Sequence, residues 1–369
     1  MHSAIGQNTD ARSIKSADGL NLFNQHSVSI IIVNYNGLNW LKACLESVRC
    51  LEGVITEVIV VDNASTDGSM EALCAYPWVK VVQSDQNLGF AGGNNLGLRD
   101  CSFDYVLLLN NDTVIVPNFL QPLCDYLDQH PEVGVVQGKM QLPRFGGALD
   151  VCGSYLTWLG LPYHYGFYKT DQPQYQHSRP VFSGKGACLM FRRDIIKRIG
   201  GFLFDDSFFC YYEESDFCHR VWLAGWEVHF VATTPIQHFM GATAGGPQAG
   251  FVLRHYLRNM TFSLLSNLSI PSLFRIMPFF FSVQLASAAI SVITFRKAQF
   301  QAHLESLLLP FQKFKAIIAR RKLIKIIRRR SDGDLFARTM INPRMGYFVK
   351  TFTGQLAQYY DNPLPSSHN

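Results

Sequence analysis

Charged residues are scarce in this chain of 369 residues: Asp, Glu, Lys and Arg make up 17%, against 48% hydrophobic residues. Disordered chains show the opposite balance, so the composition excludes general disorder. The nine cysteines include no C-x-x-C pair and lie singly in apolar stretches. That scatter excludes a zinc or disulfide framework and indicates buried, reduced thiols in a reducing compartment.

Two further absences concern targeting and nucleic acids. Residues 1–27 are polar and have no long apolar run, so we expect a mobile leader, not a secretory signal, and a cytosolic catalytic part. The net charge of +5 comes from one segment, because residues 311–330 carry nine Lys/Arg and no acid. The remainder holds 24 basic and 28 acidic residues. This distribution does not favour nucleic-acid binding and indicates a local anchor for an anionic surface.

Five short, mainly apolar runs predict strands; the first is typical of a strand buried on both faces of a sheet, and the second also predicts a buried strand. They lie at residues 28–33, 57–61, 79–83, 105–109 and 133–137. Strand, polar loop and helical spacing alternate about every 25–30 residues over this part of the chain. The pattern predicts an α/β fold with a mostly parallel sheet flanked by helices.

Polar clusters follow the first four predicted strands, at residues 34–36, 62–63, 87–93 and 110–112. Ligands of open parallel sheets bind beyond the carboxyl ends of the strands, so we expect these clusters to form one site. Asp112 is placed as an oxygen ligand for a divalent cation that also binds a diphosphate. The alternative is that Asp62 and Asp112 are ordinary turn residues.

The glycine-rich turn at residues 89–93 either offers backbone N–H groups to phosphates or is a plain tight turn. It lacks the G-x-G-x-x-G spacing of a dinucleotide site.

A second cluster brings three carboxylates, Glu213, Glu214 and Asp216, to the start of a predicted helix, beside aromatic residues. Mutual repulsion and burial would raise their pKa values, as a general base requires. The alternative is that they only complement the helix dipole. His238, after an apolar strand, is either a metal ligand or a structural histidine.

Taken in order, these clusters resemble family 2 glycosyltransferases of the GT-A fold, especially the rhamnosyltransferase-like branch of bacterial surface-polysaccharide synthesis. The matching stretches are SIIIVNYN at 29–36, VDNASTDGS at 61–69, NLGFAGGNN at 87–95, LLNNDT at 108–113, YEESD at 212–216, and His238. Two positions depart from the family pattern. Asn110 stands for the first aspartate of the D-x-D motif, and Glu214 stands for the usual aspartate base.

The resemblance implies an inverting transfer of a sugar, with rhamnose as one candidate, from a nucleotide-diphosphate sugar to a lipid-linked or polysaccharide hydroxyl. Asp112 and His238 would bind Mg²⁺ or Mn²⁺. Glu214 would be the catalytic base, with Glu213 beside it and Asp216 in reserve. The donor-binding residues would be Asn34, Tyr35, Asn36, Asp62, Asn87, Gly89, Asn94, Asn110 and Asn111.

The predicted organisation is a catalytic domain over 28–245 and a helical C-terminal region over 246–369. Within the catalytic domain, residues 28–137 would bind the donor and residues 138–245 the acceptor.

An uncharged apolar segment at 276–295 has the length of a bilayer span. A single span would place the basic segment 311–330 opposite the cytosolic catalytic part, against the positive-inside rule. We therefore expect that basic segment to lie on anionic lipid as an amphipathic helix. The protein would then be peripheral or monotopic at the cytoplasmic face of the membrane. The alternative is a solvated basic helix or a nucleic-acid contact.

Two other functions remain open from the sequence. A sugar-phosphate nucleotidyltransferase also uses an α/β sheet with acidic metal ligands, but its Gly-rich, Lys- and Arg-bearing loop after the first strand is absent, and N-Y-N-G stands there. A catalytically weak sugar-nucleotide-binding subunit of a polysaccharide assembly complex is the non-enzymatic alternative, suggested by Asn110.

Overall fold

A computed structural model describes residues 25–240, 249–352 and 355–364. The expected mobile leader lies almost entirely outside these ranges. The strands in chain order are β1 (Ser27–Asn34), β2 (Ile55–Asp62), β3 (Val79–Gln83), β4 (Tyr105–Leu109), β5 (Thr113–Val114), β6 (Val133–Gln137), β7 (Met140–Leu142), β8 (Ala148–Leu149), β9 (Ser154–Leu156), β10 (Pro162–His164), β11 (Arg179–Pro180), β12 (Cys188–Arg192), β13 (Glu227–Phe230) and β14 (Ile236–His238).

The helices are α1 (Leu38–Arg49), α2 (Ser69–Leu73), α3 (Gly89–Leu98), α4 (Leu120–Gln129), α5 (Ile195–Arg198), α6 (Glu213–Leu223), α7 (Ala249–Asn267), α8 (Ile270–Ile293), α9 (Lys297–Gln312), α10 (Phe314–Ile327), α11 (Asp332–Thr339) and α12 (Met345–Phe352). The nine cysteines all lie in the described ranges and are free thiols, six of them buried and two exposed.

Eight strands form the central sheet in the order β11-β13-β6-β12-β4-β1-β2-β3. Strands β4, β1, β2 and β3 are parallel neighbours, and β12 runs antiparallel between β4 and β6. The five runs all form strands of this sheet. Four of these strands are largely buried, whereas β3, at the edge of the sheet, has Lys80, Val81 and Gln83 exposed. The predicted mostly parallel α/β sheet is confirmed. A smaller sheet, in the order β5-β14-β7-β8, lies beyond β4 in the chain and contributes to the site.

The glycines of α3 let this helix pack closely on β1. A Cβ added at Gly93 would lie 2.7 Å from Val33 Cγ1, and one added at Gly97 would lie 2.7 Å from Ile31 Cγ2. These distances are shorter than any normal contact, so only glycine fits there. The glycine-rich stretch at residues 89–93 therefore forms the first turn of α3.

The C-terminal helices pack on residues 138–245 and share their core. Leu257, Met260 and Leu264 of α7 belong to the same buried cluster as Phe217 and Trp222 of α6. At the end of the described chain, the buried Asp361 carboxylate accepts hydrogen bonds from the hydroxyls of Tyr163 (2.7 Å) and Tyr175 (3.0 Å).

The expectation of one surface-lying amphipathic helix over 311–330 is wrong. The segment is divided near Lys313 between the end of α9 and the whole of α10. Some of its cations form ion pairs or hydrogen bonds within the protein. Arg320 pairs with Asp205 and Asp216, and Arg321 donates to two backbone carbonyls. Buried carboxylates and helix-end carbonyls attract these guanidinium groups more strongly than solvent does.

Candidate active site

Three polar loops meet at the side chain of Asn34, at the carboxyl end of β1. Its Nδ2 donates to Asp62 Oδ1 and to Ser65 Oγ, both at 3.2 Å, and its Oδ1 accepts from Asn111 Nδ2 at 2.8 Å. Gly37 permits this approach, because a Cβ there would lie 2.0 Å from Asn111 Nδ2. Asn34 and Asp62 are fully buried and hold the loops in place.

The fourth loop joins through Asn63, which is also buried. Its amide donates to Asn87 Oδ1 and to the Gly89 carbonyl, both at 3.0 Å, and its Oδ1 accepts from the Leu88 N–H at 2.9 Å. The predicted convergence of four polar clusters at one sheet edge therefore occurs. Tyr35 is half exposed and Asn36 is exposed, so both lie on the open rim of this edge.

Gly89 and Asn94 have packing roles in this structure. The backbone N–H of Ala91 donates to the Phe209 carbonyl at 2.9 Å, and a Cβ at Gly89 would lie 2.3 Å from the same oxygen. Asn94 is buried in α3 and donates to the Phe90 carbonyl one turn earlier. The glycine-rich turn thus brings the Phe209 loop against the donor half.

Asp112 and His238 face each other because β14 pairs antiparallel with β5. The register places His238 opposite Thr113, and the Phe239 N–H donates to the Asp112 carbonyl at 2.9 Å. His238 Nε2 then lies 3.4 Å from Asp112 Oδ1, with both side chains almost completely buried. Asn110, at the end of β4, contributes its backbone: its N–H donates to the Ala187 carbonyl.

Asp150 and Lys185 extend this pair. Asp150 Oδ2 lies 2.7 Å from His238 Nδ1, and Asp150 Oδ1 accepts from Lys185 Nζ at 2.6 Å. Burial acts to raise the pKa of Asp150, but Lys185 and His238 outweigh it and lower that pKa to about 2. Burial likewise acts to lower the pKa of His238, and its hydrogen bonds to the two carboxylates raise it overall.

This arrangement fits a divalent cation held jointly with a substrate. A metal-binding histidine usually donates its second ring N–H to a carboxylate, which is the role Asp150 can play for His238. No cluster of three or more His, Cys, Asp or Glu side chains is grouped for a metal among the residues described. The pair Asp112–His238 would therefore leave most coordination positions to diphosphate oxygens and water, as Mg²⁺ prefers.

Glu213 and Glu214 begin α6. Burial raises the pKa of Glu214, which Lys185 partly counteracts, and burial together with the neighbouring Glu214 raises the pKa of Glu213 well above its ordinary value. One oxygen of each carboxylate is buried without a hydrogen-bond partner among the described residues. Glu214 is partly exposed, whereas Glu213 is 5% exposed.

Asp216, two residues further on, is held in a buried ion-pair network. It accepts from Arg220 Nε at 3.0 Å, from Arg320 at 3.3 Å and from Asn267 Nδ2 at 2.9 Å. Burial alone would raise the pKa of Asp216, but Arg320 and Arg220 lower it to about 2. These contacts leave Asp216 a weak base fixed in a structural role.

The loop before α6 is held by one amide from α7. Asn259 Nδ2 donates to the carbonyls of Phe208, Cys210 and Tyr211 at 2.9, 3.0 and 2.7 Å. Within the same loop Phe209, Tyr211 and Tyr212 have φ angles of 62°, 68° and 71°. Such conformations are unfavourable for bulky residues and persist only where surrounding contacts impose them.

Comparison with known proteins shows which enzyme family this part of the chain matches. Residues 29–200 match the model of glycosyl transferase family 2. The chain carries a family 2 glycosyltransferase domain. The match contains the polar loops, Asp112, Asp150 and Lys185, and it ends before Glu214 and His238.

Two curated relatives of the chain are named as sugar transferases. It is 28% identical over 202 residues to the low-salt glycan biosynthesis hexosyltransferase Agl10 of Haloferax volcanii, a match covering 52% of this chain and 61% of that protein. It is 25% identical over 253 residues to an N-acetylglucosaminyl-diphospho-decaprenol L-rhamnosyltransferase of Mycobacterium tuberculosis, covering 62% of this chain and 80% of that enzyme.

Solved structures share the fold of the transferase at low identity. A crystal structure of GalNAc-T7 with UDP, GalNAc and Mn²⁺ aligns at a TM-score of 0.62 and 14% identity, covering 89% of this chain and 58% of that one. S. aureus TarS in complex with UDP-GlcNAc aligns at 0.53 and 16% identity, covering 81% and 90%. These neighbours support the GT-A architecture.

Sequence reasoning missed three residues of the site: Asp150, Lys185 and Asn259. Asp150 is a lone acid inside an apolar stretch, and Lys185 is a lone cation between two glycines. Both patterns are signals, because an isolated charge in such a setting needs a partner. Asn259 lies within a helical segment and carries no comparable signal.

Proposed function

We propose that this transferase moves a sugar, with inversion, from a nucleotide-diphosphate sugar to a hydroxyl of a lipid-linked or polysaccharide acceptor. One observation carries the proposal: Asp112, His238, Asp150 and Lys185 form a continuous chain of contacts from the end of β4, and the Lys185 charge acts on Glu214. The residues proposed to bind the cation would thus be joined by contacts to Lys185, and Lys185 would influence the proposed base Glu214 through its charge.

In this mechanism Glu214 accepts the proton of the acceptor hydroxyl. The hydroxyl oxygen forms a bond to the anomeric carbon, the bond from that carbon to the diphosphate breaks, and the diphosphate leaves with the electron pair. A raised pKa makes Glu214 a stronger base near neutral pH, while Lys185 keeps its carboxylate form accessible. Asp112 and His238 would hold Mg²⁺ or Mn²⁺, which would neutralise the charge developing on the diphosphate.

Donor recognition is assigned to the carboxyl edge of the sheet. Asn34 and Asp62 fix the loops, while the exposed Tyr35 and Asn36 and the partly exposed Asn111 are available to the nucleotide. The mycobacterial relative, whose name specifies a decaprenol-linked acceptor, supports a lipid-linked acceptor for this chain. Such an acceptor would place the site at a membrane surface, and we propose the cytoplasmic face.

A donor assay tests this function. Purified protein is screened by thermal shift against UDP-, dTDP- and GDP-sugars, since a bound donor stabilises the fold. Hydrolysis of the best donor is then measured with Mg²⁺ or Mn²⁺. Release of nucleoside diphosphate supports a transferase. Release of pyrophosphate would indicate a nucleotidyltransferase, and binding without turnover would indicate a sugar-nucleotide-binding subunit.

Asp112→Ala is expected to reduce donor hydrolysis by at least about 10²-fold, because the cation that stabilises the leaving group loses its carboxylate ligand. The matched control is Asp85→Ala, an exposed carboxylate on the loop after β3. Far-UV circular dichroism should be unchanged in both variants. Full activity of Asp112→Ala across metal concentrations would remove the metal-site assignment.

A further inference from the structure

Helix α8 has one face that packs on the protein and one apolar face that does not. Its most apolar window has a mean hydropathy of 1.9, and only 33% of that window is buried. A core helix of such hydropathy would be mostly buried. The outer face therefore has apolar surface that the described chain does not cover.

The exposed apolar surface is largest where α8 turns into α9. Ile290 is 59% exposed, Ile293 74% and Phe295, in the turn itself, 94%. Further exposed apolar residues continue the surface along both helices: Phe274, Phe279, Leu285, Val292, Leu304, Leu308 and Phe311. We call Ile290–Phe295 the hairpin tip.

The other face of α8 excludes a simple bilayer span. Ile276 and Phe280 pack against Gly160 of the acceptor half, where an added Cβ would lie 3.0 and 3.3 Å from them. Gln284 Oε1 lies 2.6 Å from His303 Nδ1 of α9, so that α9 folds back along α8. One face of α8 thus packs on the protein, and lipid can contact only its opposite, exposed face.

Cations surround this surface, and acids are almost absent from it. Between residues 270 and 330 the sequence has twelve Lys/Arg and one acid, Glu305, which pairs with Arg254 at 2.7 Å. Eight of these cations are exposed and form no ion pair within the described ranges: Arg275, Arg296, Lys297, Lys313, Lys315, Lys322, Lys325 and Arg329. An apolar tip bordered by unpaired cations complements an anionic lipid surface, where cations meet head groups and apolar side chains meet acyl chains.

An aromatic pair lies on the same face. Trp158 of the acceptor half is 38% exposed and contacts Phe279 edge to face, with ring centroids 4.8 Å apart. Tryptophan is enriched where one end of the ring meets lipid and the other meets water.

We infer that the transferase docks on an anionic phospholipid surface by inserting the α8–α9 hairpin tip, without spanning the bilayer. Arg296 and Lys297 lie at the head groups, and the outer face of α8 rests on the membrane. This deepens the proposed membrane location by naming the docking surface, and it does not depend on which donor is used. The cations Arg320, Arg321, Arg328 and Arg330, which are bound by carboxylates or backbone carbonyls of the protein, take no part.

The test is co-sedimentation of the full chain with vesicles of phosphatidylcholine and phosphatidylglycerol in a two-to-one ratio. The tip variant combines Ile293→Asp with Phe295→Asp, both exposed in the wild type. Its vesicle affinity is expected to fall at least about tenfold at both low and high salt, because two apolar side chains that would enter the lipid are lost. The matched control is Ile55→Asp, 49% exposed at the amino end of β2, which should bind as the wild type does.

A charge variant separates the electrostatic part. Arg296→Gln with Lys297→Gln should lower the affinity about fivefold per cation at low salt, and the difference should shrink at high salt. A tip variant that binds vesicles like the wild type would overturn the inference. The inference would also be overturned if the wild-type protein did not bind vesicles but formed a dimer, and if the tip variant were monomeric. A second copy of the chain would then cover the apolar face.

Donor hydrolysis keeps this test apart from that of the proposed function. Both variants should hydrolyse the soluble donor at the wild-type rate, because the substituted residues lie outside the site. Vesicle binding without any donor hydrolysis would leave the docking surface in place and remove the proposed chemistry. Donor hydrolysis without vesicle binding would support the proposed chemistry and overturn the docking surface.

Discussion

Glu214 and Asp216 lie two residues apart on the first turn of α6, yet the protein surrounds their carboxylates in opposite ways. Glu214 has Glu213 beside it, and one of its oxygens is buried without a hydrogen-bond partner among the described residues. Asp216 faces Arg220, Arg320 and Asn267, which bind its carboxylate at 2.9–3.3 Å. Burial raises the pKa of Glu214, whereas the two guanidinium groups lower that of Asp216 to about 2.

The opposite pKa shifts show that a position at the start of a helix does not by itself determine what a carboxylate does. The same helix dipole acts on both side chains, so the contrast comes from what packs against each one. Helices α7 and α10 supply two partners of Asp216, Asn267 and Arg320, and Arg220 of α6 itself is the third. Asp216 thereby holds α6 to α7 and α10, and we propose that Glu214, with its raised pKa, exchanges the proton.

The largest expected effect comes from Glu214→Gln. Loss of a positioned general base costs about 10²–10⁴-fold in rate, so the single-turnover rate should fall by that factor. Donor affinity measured by calorimetry should stay close to that of the wild type. A near-normal rate would point to Glu213 as the base.

Asp216→Asn should instead affect stability. Removing one partner of a buried ion pair costs about 3 kcal/mol or more in the free energy of unfolding, measured by urea denaturation at neutral pH. Since the Asp216 pKa is lowered from 3.8, its contribution is present above pH 3.8 and is lost as the pH falls towards 2. The wild type and the variant should therefore converge in acid. Glu214→Gln is the matched control and should not lower stability; equal stability of wild type and Asp216→Asn at neutral pH would contradict the structural role.

A smaller effect is expected from Asn259→Leu, which removes the amide shared by three carbonyls of the loop before Glu213. Unsatisfied buried acceptors cost about 1–3 kcal/mol, so both the free energy of unfolding and the single-turnover rate should decrease. Asn259 acts through the position of Glu214, and the readout specific to that role is a lower kcat at unchanged donor KM. Asn259→Gln should restore part of the rate. A variant that loses stability but keeps its kcat would make Asn259 purely structural.

Much of residues 28–137 follows from local sequence. The five strand runs are mainly apolar, and the parallel topology of β4, β1, β2 and β3 carries the polar residues that follow them to one edge, where Asn34, Asn63 and Asn111 meet. Asp112 was predicted as a cation ligand from its position after a strand, and the resemblance added His238 as its companion. The pairing of β14 with β5 explains why the two residues lie together.

The rest depends on contacts between distant parts of the chain. Asp150 reaches His238 over 88 residues, and Arg320 reaches Asp216 over 104. The distinction between Glu214 and Asp216 could not be predicted, because their environments are set by helices far along the chain. For the same reason, the basic segment 311–330 looked uniform in sequence although several of its cations are bound inside the fold.

The pH dependence of the single-turnover rate tests the central claim most directly. If Glu214 is the base and its pKa is raised by burial, the rate should rise with pH along a limb whose apparent pKa lies above the ordinary glutamate value of 4.5. In Asp216→Asn the limb should keep its position, and in Glu214→Gln it should disappear. A wild-type limb whose apparent pKa lies at or below 4.5, or a limb that survives Glu214→Gln, would contradict the account.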